Sequence, residues 1–86
     1  NNAFELDNEI SIYPNPSVGG KFNVTLPDEL IGAKLNIYNA LGQEVLKMNN
    51  ISGKNFEVNT ESLSAGIYYV KINLEAKSFT KKLIIK

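Results

Sequence analysis

From Phe22 onward, apolar and polar residues alternate with a period of two, and glycine, proline and asparagine interrupt the alternation at short intervals. Period two sends successive side chains to opposite faces of a pleated ribbon, so each such run has one dry face and one wet face. No stretch of useful length keeps the 3.6-residue period of an amphipathic helix. A chain written this way folds as sheets packed face to face.

The runs and their punctuation predict seven short strands. Glu9 to Tyr13 reads as the first. Phe22, Val24 and Leu26 mark the second, which Pro27-Asp28 ends because proline cannot continue a ladder. Leu35 and Ile37 mark the third, and Gln43 to Met48 the fourth. Between them Asn39-Ala40-Leu41-Gly42 has glycine last, which suits a hairpin turn closed at positive φ. Asn50 to Lys54 is read as a second turn with Gly53 as its pivot. Phe56 and Val58 mark the fifth strand, Tyr68 to Leu74 the sixth, and Phe79 to Ile85 the seventh, after a turn at Glu75-Ala76-Lys77. The predicted fold class is all-β, a seven-stranded immunoglobulin-like antiparallel β-sandwich. Residues 1–8 read as a linker with little to bury and residues 9–86 as the domain.

Two corners stand out. At Tyr13-Pro14-Asn15-Pro16, the prolines fix φ near about −65° and remove two backbone donors, ending the first strand and forcing the chain toward the second. At Leu63-Ser64-Ala65-Gly66-Ile67-Tyr68, Leu63 is expected to plug the core and Gly66 to take the tight bend. The Tyr68 hydroxyl is expected to bond back to backbone at the corner, as in many sandwiches. Tyr69 then points to the opposite face and becomes a candidate for surface contact.

An 86-residue chain makes one domain. A domain of that size buries only roughly 60–65% of its unfolded surface, so its stability margin is thin. Cysteine is absent, which removes disulfides, thiolate metal sites and thiol nucleophiles. Histidine is absent too, and with it the commonest general base. Asp28, Glu29, Glu44, Glu57 and Glu61 fall in turns or on polar strand faces; their spacing leaves a glycosidase pair open, but a domain this small has little volume for a sugar cleft. Gly19-Gly20 precedes a strand rather than a helix, so no phosphate loop is indicated. Glu5, Asp7, Asn8 and Glu9 could offer oxygen ligands to calcium but read better as a solvated acidic linker. No cofactor is expected, and the domain is not expected to be an enzyme.

Nine lysines balance nine carboxylates, and no arginine is present. That argues against a nucleic-acid partner, which calls for a clustered positive excess. No apolar run approaches the roughly 20 residues of a membrane span. The acidic, polar start NNAFELDNE carries no leader and reads as a piece cut from a longer chain. Charge is nonetheless uneven: Lys77, Lys81, Lys82 and Lys86 crowd the last ten positions. They read either as guards of an edge strand or as a basic element that a partner recognises. Tyr13, Tyr38 and Tyr69 leave open a carbohydrate-binding or adhesion module, although tyrosines on strands more often pair across the ladder than form a shelf.

With these motifs placed, the chain from about residue 8 to residue 86 resembles the C-terminal sorting domain (type A) of cargo proteins of the Bacteroidetes type IX secretion system. Pro14, Asn15 and Pro16 with Tyr13, Gly20 and Phe22 match the family's opening, and Ile37-Tyr38-Asn39 with Gly42 and Val45 its central hairpin. Leu63, Gly66, Tyr68, Val70 and Ile72 match a Leu-x-x-Gly-x-Tyr-x-Val box, and Lys81, Lys82 and Leu83 its closing strand, which runs on to Lys86.

The resemblance implies a secretion and sorting signal for a fused cargo, in transit through the periplasm and then at the cell surface or secreted. It implies as partners the outer-membrane translocon and its shuttle protein, the upstream cargo domain, and a surface sortase. Removal of the domain is implied within Asn1, Asn2, Ala3, Phe4, Glu5, Leu6, Asp7, Asn8 and Glu9. In the closing strand, Leu83 and Ile85 are expected to pack inward, with Lys82 and the terminal carboxylate facing the receptor.

Overall fold

The computed structural model describes residues 9–17 and 19–86. Among them seven strands form: β1 (Ser11–Tyr13), β2 (Lys21–Thr25), β3 (Lys34–Asn39), β4 (Glu44–Met48), β5 (Asn55–Asn59), β6 (Gly66–Leu74) and β7 (Lys77–Ile85). They build a three-stranded sheet in the order β1-β2-β5 and a four-stranded sheet in the order β4-β3-β6-β7. Every ladder is antiparallel. The chain changes sheet between β2 and β3, between β4 and β5 and between β5 and β6, the crossed connectivity of an immunoglobulin-like sandwich.

The dry faces predicted by the alternation meet between the sheets. Phe22, Val24 and Val58 on one side face Leu35, Ile37, Val70, Ile72 and Leu83 on the other, all almost fully buried. Interdigitated packing of this kind carries most of a small domain's stability, at about 25 cal/mol per Å² of apolar surface removed from water. The mouth of the sandwich is stopped by a single 3-10 turn at Asp28–Leu30, which drives Leu30 into the core. The alternation reads Pro27-Asp28 only as a strand end. The turn itself forms because the Pro27 carbonyl accepts the Leu30 N–H at 3.0 Å.

Three local expectations change. The Asn50–Lys54 segment crosses between sheets, and its left-handed residue is Asn50 (φ 55), while Gly53 has no positive φ. Ile51 supplies the reason: it is buried, its N–H bonds the Ala33 carbonyl at 2.9 Å and its carbonyl takes the Gly32 N–H at 2.6 Å. Those bonds stitch the crossover to the loop before β3, so the reversal is made ahead of Ile51. Gly66 is extended and opens β6 opposite Ile85, and the bend lies earlier, where Leu63 N–H bonds the Thr60 carbonyl at 2.9 Å. Glu75 and Ala76 alone connect β6 to β7, with Glu75 left-handed (φ 54), so β7 begins at Lys77 and not at Phe79.

Candidate recognition site

The opening corner and the closing strand are one structural unit. After β1 the chain passes Pro14 and Pro16, each preceded by a cis peptide bond, and runs alongside the outer edge of β7. Asn15 Nδ2 donates to the Lys82 carbonyl at 2.8 Å, and Asn15 Oδ1 accepts the Ile84 N–H at 3.1 Å. Two residues on, Ser17 N–H donates to the Ile84 carbonyl at 2.6 Å and the Ser17 carbonyl accepts the Lys86 N–H at 3.1 Å. Ser17 is buried, and its Oγ donates to the Lys21 carbonyl at 2.8 Å, which ties this strap to the start of β2. The edge groups of β7 from the Lys82 carbonyl to the Lys86 N–H are therefore filled by the protein itself.

Within β7 the side chains divide as the alternation predicts. Leu83 and Ile85 are buried, while Lys82 and Lys86 are exposed. Lys81 lies opposite Val70 and is half-buried. On β6, Tyr68 packs in the core and its hydroxyl donates to the Ser64 carbonyl at 2.7 Å, the expected corner. Leu63 packs against the core beside it. Gly42 closes the β3–β4 turn at φ 87, its N–H on the Asn39 carbonyl at 2.9 Å, while the Asn39 side chain accepts from Leu41 and Gln43 N–H. By register that turn is at the same end of the sheet as the strap, Asn39 being opposite Tyr68 and Tyr68 opposite Leu83, but it joins β3 to the far edge strand β4, whereas the strap runs outside β7. Pro14, Asn15, Pro16, Lys82 and Lys86 thus come together, whereas Gly42 closes a turn, Gly66 opens β6 and Tyr68 packs in the core. Of the residues assigned to the cleavage region, Asn1 to Asn8 lie outside the described residues. Glu9 is exposed in a turn before β1.

The three tyrosines do not share a surface. Tyr38 and Tyr69 are directly opposite each other on the outer face of the four-stranded sheet. Tyr13 is on β1 in the other sheet, opposite Asn23, with its hydroxyl 3.4 Å from Thr25 Oγ1. Around Tyr69, Ile67 and Ile84 are opposite each other and Lys82 is opposite Tyr69 itself. This exposed pairing of apolar and cationic side chains was only partly signalled by the sequence, which singles out Tyr69 but not the neighbours that register brings to it.

The carboxylates are dispersed. Among the described residues no three acidic groups gather where a metal ion could be held. One open recess of about 450 Å³ is lined by Glu9 and Asp28, and Lys54 Nζ sits 3.2 Å from Asp28 Oδ1. That ion pair is solvent-exposed and worth little to stability. No helix among the described residues is long and apolar enough to cross a membrane.

Residues 11–86 match the family described as the secretion system C-terminal sorting domain, from β1 through the end of β7. Beta-agarase A of Zobellia galactanivorans is 37% identical over 62 residues, covering 72% of this chain and 11% of that protein. The chain thus spans about a tenth of the length of the curated relative it matches. The match takes in both motif-bearing ends of the domain, the strap and the strand it covers, and the chain belongs to the C-terminal sorting domain family of type IX secretion.

Proposed function

We propose that this domain travels as the sorting signal at the end of a cargo protein, is delivered from the periplasm to the outer-membrane translocon with its shuttle protein, and is then removed by a surface sortase. Residues 1–8 join the cargo to the domain of residues 9–86, and the cleaved bond falls within residues 1–9. The cargo ends anchored at the cell surface or released to the medium. The domain itself is a substrate of these steps and does no chemistry.

The observation that carries this reading is the match to the sorting-domain family over residues 11–86. The fold supports it in one respect: Asn15 and Ser17, in and just after the Pro14–Pro16 corner, hold the closing segment from Lys82 to Lys86, so the two ends of the domain present one composite element. A passive reporter with a signal peptide, fused ahead of residues 1–86, tests it in a host that has the type IX system. The reporter is expected at the surface or in the medium, and mass spectrometry of the liberated domain is expected to place its new N-terminus within residues 1–9. A reporter retained in the periplasm with the domain folded and intact overturns the reading.

A further inference from the structure

The two sheets have outer faces of different character. On the three-stranded sheet the polar groups answer one another: Tyr13 hydroxyl meets Thr25 Oγ1, Thr25 Oγ1 donates to Asn55 Oδ1 at 2.7 Å, and Lys21 Nζ pairs with Glu57 at 3.3 Å. On the four-stranded sheet the exposed residues include Ile67 (43%) and Tyr69 (40%), with Tyr38 and Ile84 beside them by register. Lys34, Lys47, Lys71 and Lys82 share this face and make no ion pair among the described residues. Its strands carry a single acid, Glu44, and the Glu44 carboxylate is held by Asn36 Nδ2 at 2.8 Å.

An incoming partner has two ways to read a sheet: through the backbone of an edge, or through side chains on a face. The first is closed along the end of β7, because the strap fills the edge from the Lys82 carbonyl to the Lys86 N–H. Side chains remain. We propose that the outer face of the four-stranded sheet, centred on Tyr69 and Ile67 and bounded by Lys82, is the docking surface of the domain, and that it fits a protein of the export machinery presenting an apolar patch rimmed by carboxylates. This rests on the sorting reading and adds to it the face that is read and the chemistry of its reader. Aromatic and aliphatic side chains at the centre with charge at the rim is the usual anatomy of a protein interface. The lysines choose the occupant. A second copy of the domain would bring the same cations against them, and like charges opposed across an interface are unfavourable.

The test compares export of the fused reporter for variants of this face and of an exposed apolar residue elsewhere. Tyr69→Glu and Ile67→Glu place carboxylates where the partner's own are expected, and export should fall about tenfold or more, as when a central anchor of an interface is lost. Lys82→Glu should act in the same direction. Ile31→Glu is also on an exposed apolar residue, at the end of the 3-10 turn and outside the strands of this face, and should export within about twofold of the parent, surface changes away from an interface being nearly neutral. The thermal midpoint of each purified domain separates loss of docking from loss of fold. Should Tyr69→Glu unfold, Lys82→Glu on an already exposed side chain carries the same test. Parental export of Tyr69→Glu, Ile67→Glu and Lys82→Glu alike overturns the docking face and leaves the sorting reading standing, whereas retention of the parent reporter itself sinks the sorting reading. A parent domain that sediments as a dimer and is made monomeric by Tyr69→Glu would assign the face to a second copy. Binding to insoluble polysaccharide that Tyr69→Ala abolishes would assign it to sugar, and either result overturns the proposal.

Discussion

The side chain of Asn15 stands in for a neighbouring strand beside Ile84: its Oδ1 accepts the Ile84 N–H at 3.1 Å while its Nδ2 donates to the Lys82 carbonyl at 2.8 Å. One primary amide thus satisfies a donor and an acceptor that an edge strand otherwise leaves open. An exposed row of such groups invites pairing with other chains, and proteins cover their edges for that reason. Ser17 continues the cover with its own backbone, so a corner of three residues protects the final third of β7.

Asn15→Ala should remove both bonds, and Asn15→Asp should keep the acceptor but set a carboxylate against the Lys82 carbonyl. Each bond sits at an exposed position, so a loss of about 1–2 kcal/mol is expected in total, with Asp no better than Ala. Chemical denaturation measures the cost. Hydrogen exchange gives the location: the Ile84 amide should lose protection in both variants while the Val70 and Ile72 amides keep theirs. Unchanged protection at Ile84 would remove the strap from the account.

Tyr68→Phe should lower stability by about 1–2 kcal/mol, because it deletes the donor to the Ser64 carbonyl and leaves the ring in place. The effect should show as a shifted denaturation midpoint with an unchanged slope. A midpoint identical to the parent would mean that water serves the Ser64 carbonyl as well as tyrosine does.

Thr60 offers a change in the opposite direction. It is buried, its N–H bonds the Gly20 carbonyl at 2.8 Å, and its Oγ1 has no hydrogen-bond partner among the described residues. Thr60→Val keeps the shape and removes the unsatisfied hydroxyl, so stability should stay level or rise by up to about 1–2 kcal/mol. A clear loss in thermal midpoint would show that a water molecule or a shifted rotamer pairs the hydroxyl in solution.

Much of this architecture was legible in the alternation. Phe22, Val24, Leu35, Ile37, Val70 and Ile72 sit in the core because period two and burial on one face are the same fact seen in sequence and in space. The tyrosine corner was legible because Tyr68 and Ser64 are four residues apart and the contact is local. The strap was not. Asn15 and Ile84 are separated by 69 residues, and a side-chain amide leaves no periodic trace of the strand it will serve. The pivot of the β4–β5 crossover was misjudged for a related reason: glycine permits positive φ but does not compel it, and tertiary bonds of Ile51 placed the left-handed residue at Asn50. The docking face was half-legible, since Tyr69 announces itself by alternation while Ile67, Ile84 and Lys82 reach it only through register.

Gly42 tests the hairpin by a graded series. At φ 87 with no atom within 4 Å of the place a Cβ would occupy, space is free and only the backbone conformation resists substitution. Gly42→Asn should cost about 1 kcal/mol and Gly42→Val distinctly more, because a β-branched residue tolerates positive φ worst. Equal losses measured by thermal unfolding would point to a turn that rearranges when glycine is removed.

Lys82 and Leu83 are adjacent on β7 but belong to different faces, and they should separate folding from sorting. Leu83 is fully buried opposite Tyr68, so Leu83→Ala leaves a cavity and should cost about 2–5 kcal/mol. In a domain of this size that is a large part of the total stability, and export of a fused reporter should fail because the signal no longer stays folded. Lys82 is exposed and makes no ion pair among the described residues, so Lys82→Ala should leave the stability within about 0.5 kcal/mol of the parent. Its effect should instead appear in export, as a weaker delivery of reporter by a domain that is fully folded. Reporter assays of the two variants, each paired with the midpoint of the purified domain, resolve the contrast. If Lys82→Ala exports as the parent does, the charge has no part in recognition and the lysines of β7 serve only to guard an edge. If Leu83→Ala exports normally despite its lost stability, the machinery reads the terminal strand without requiring the sandwich that holds it.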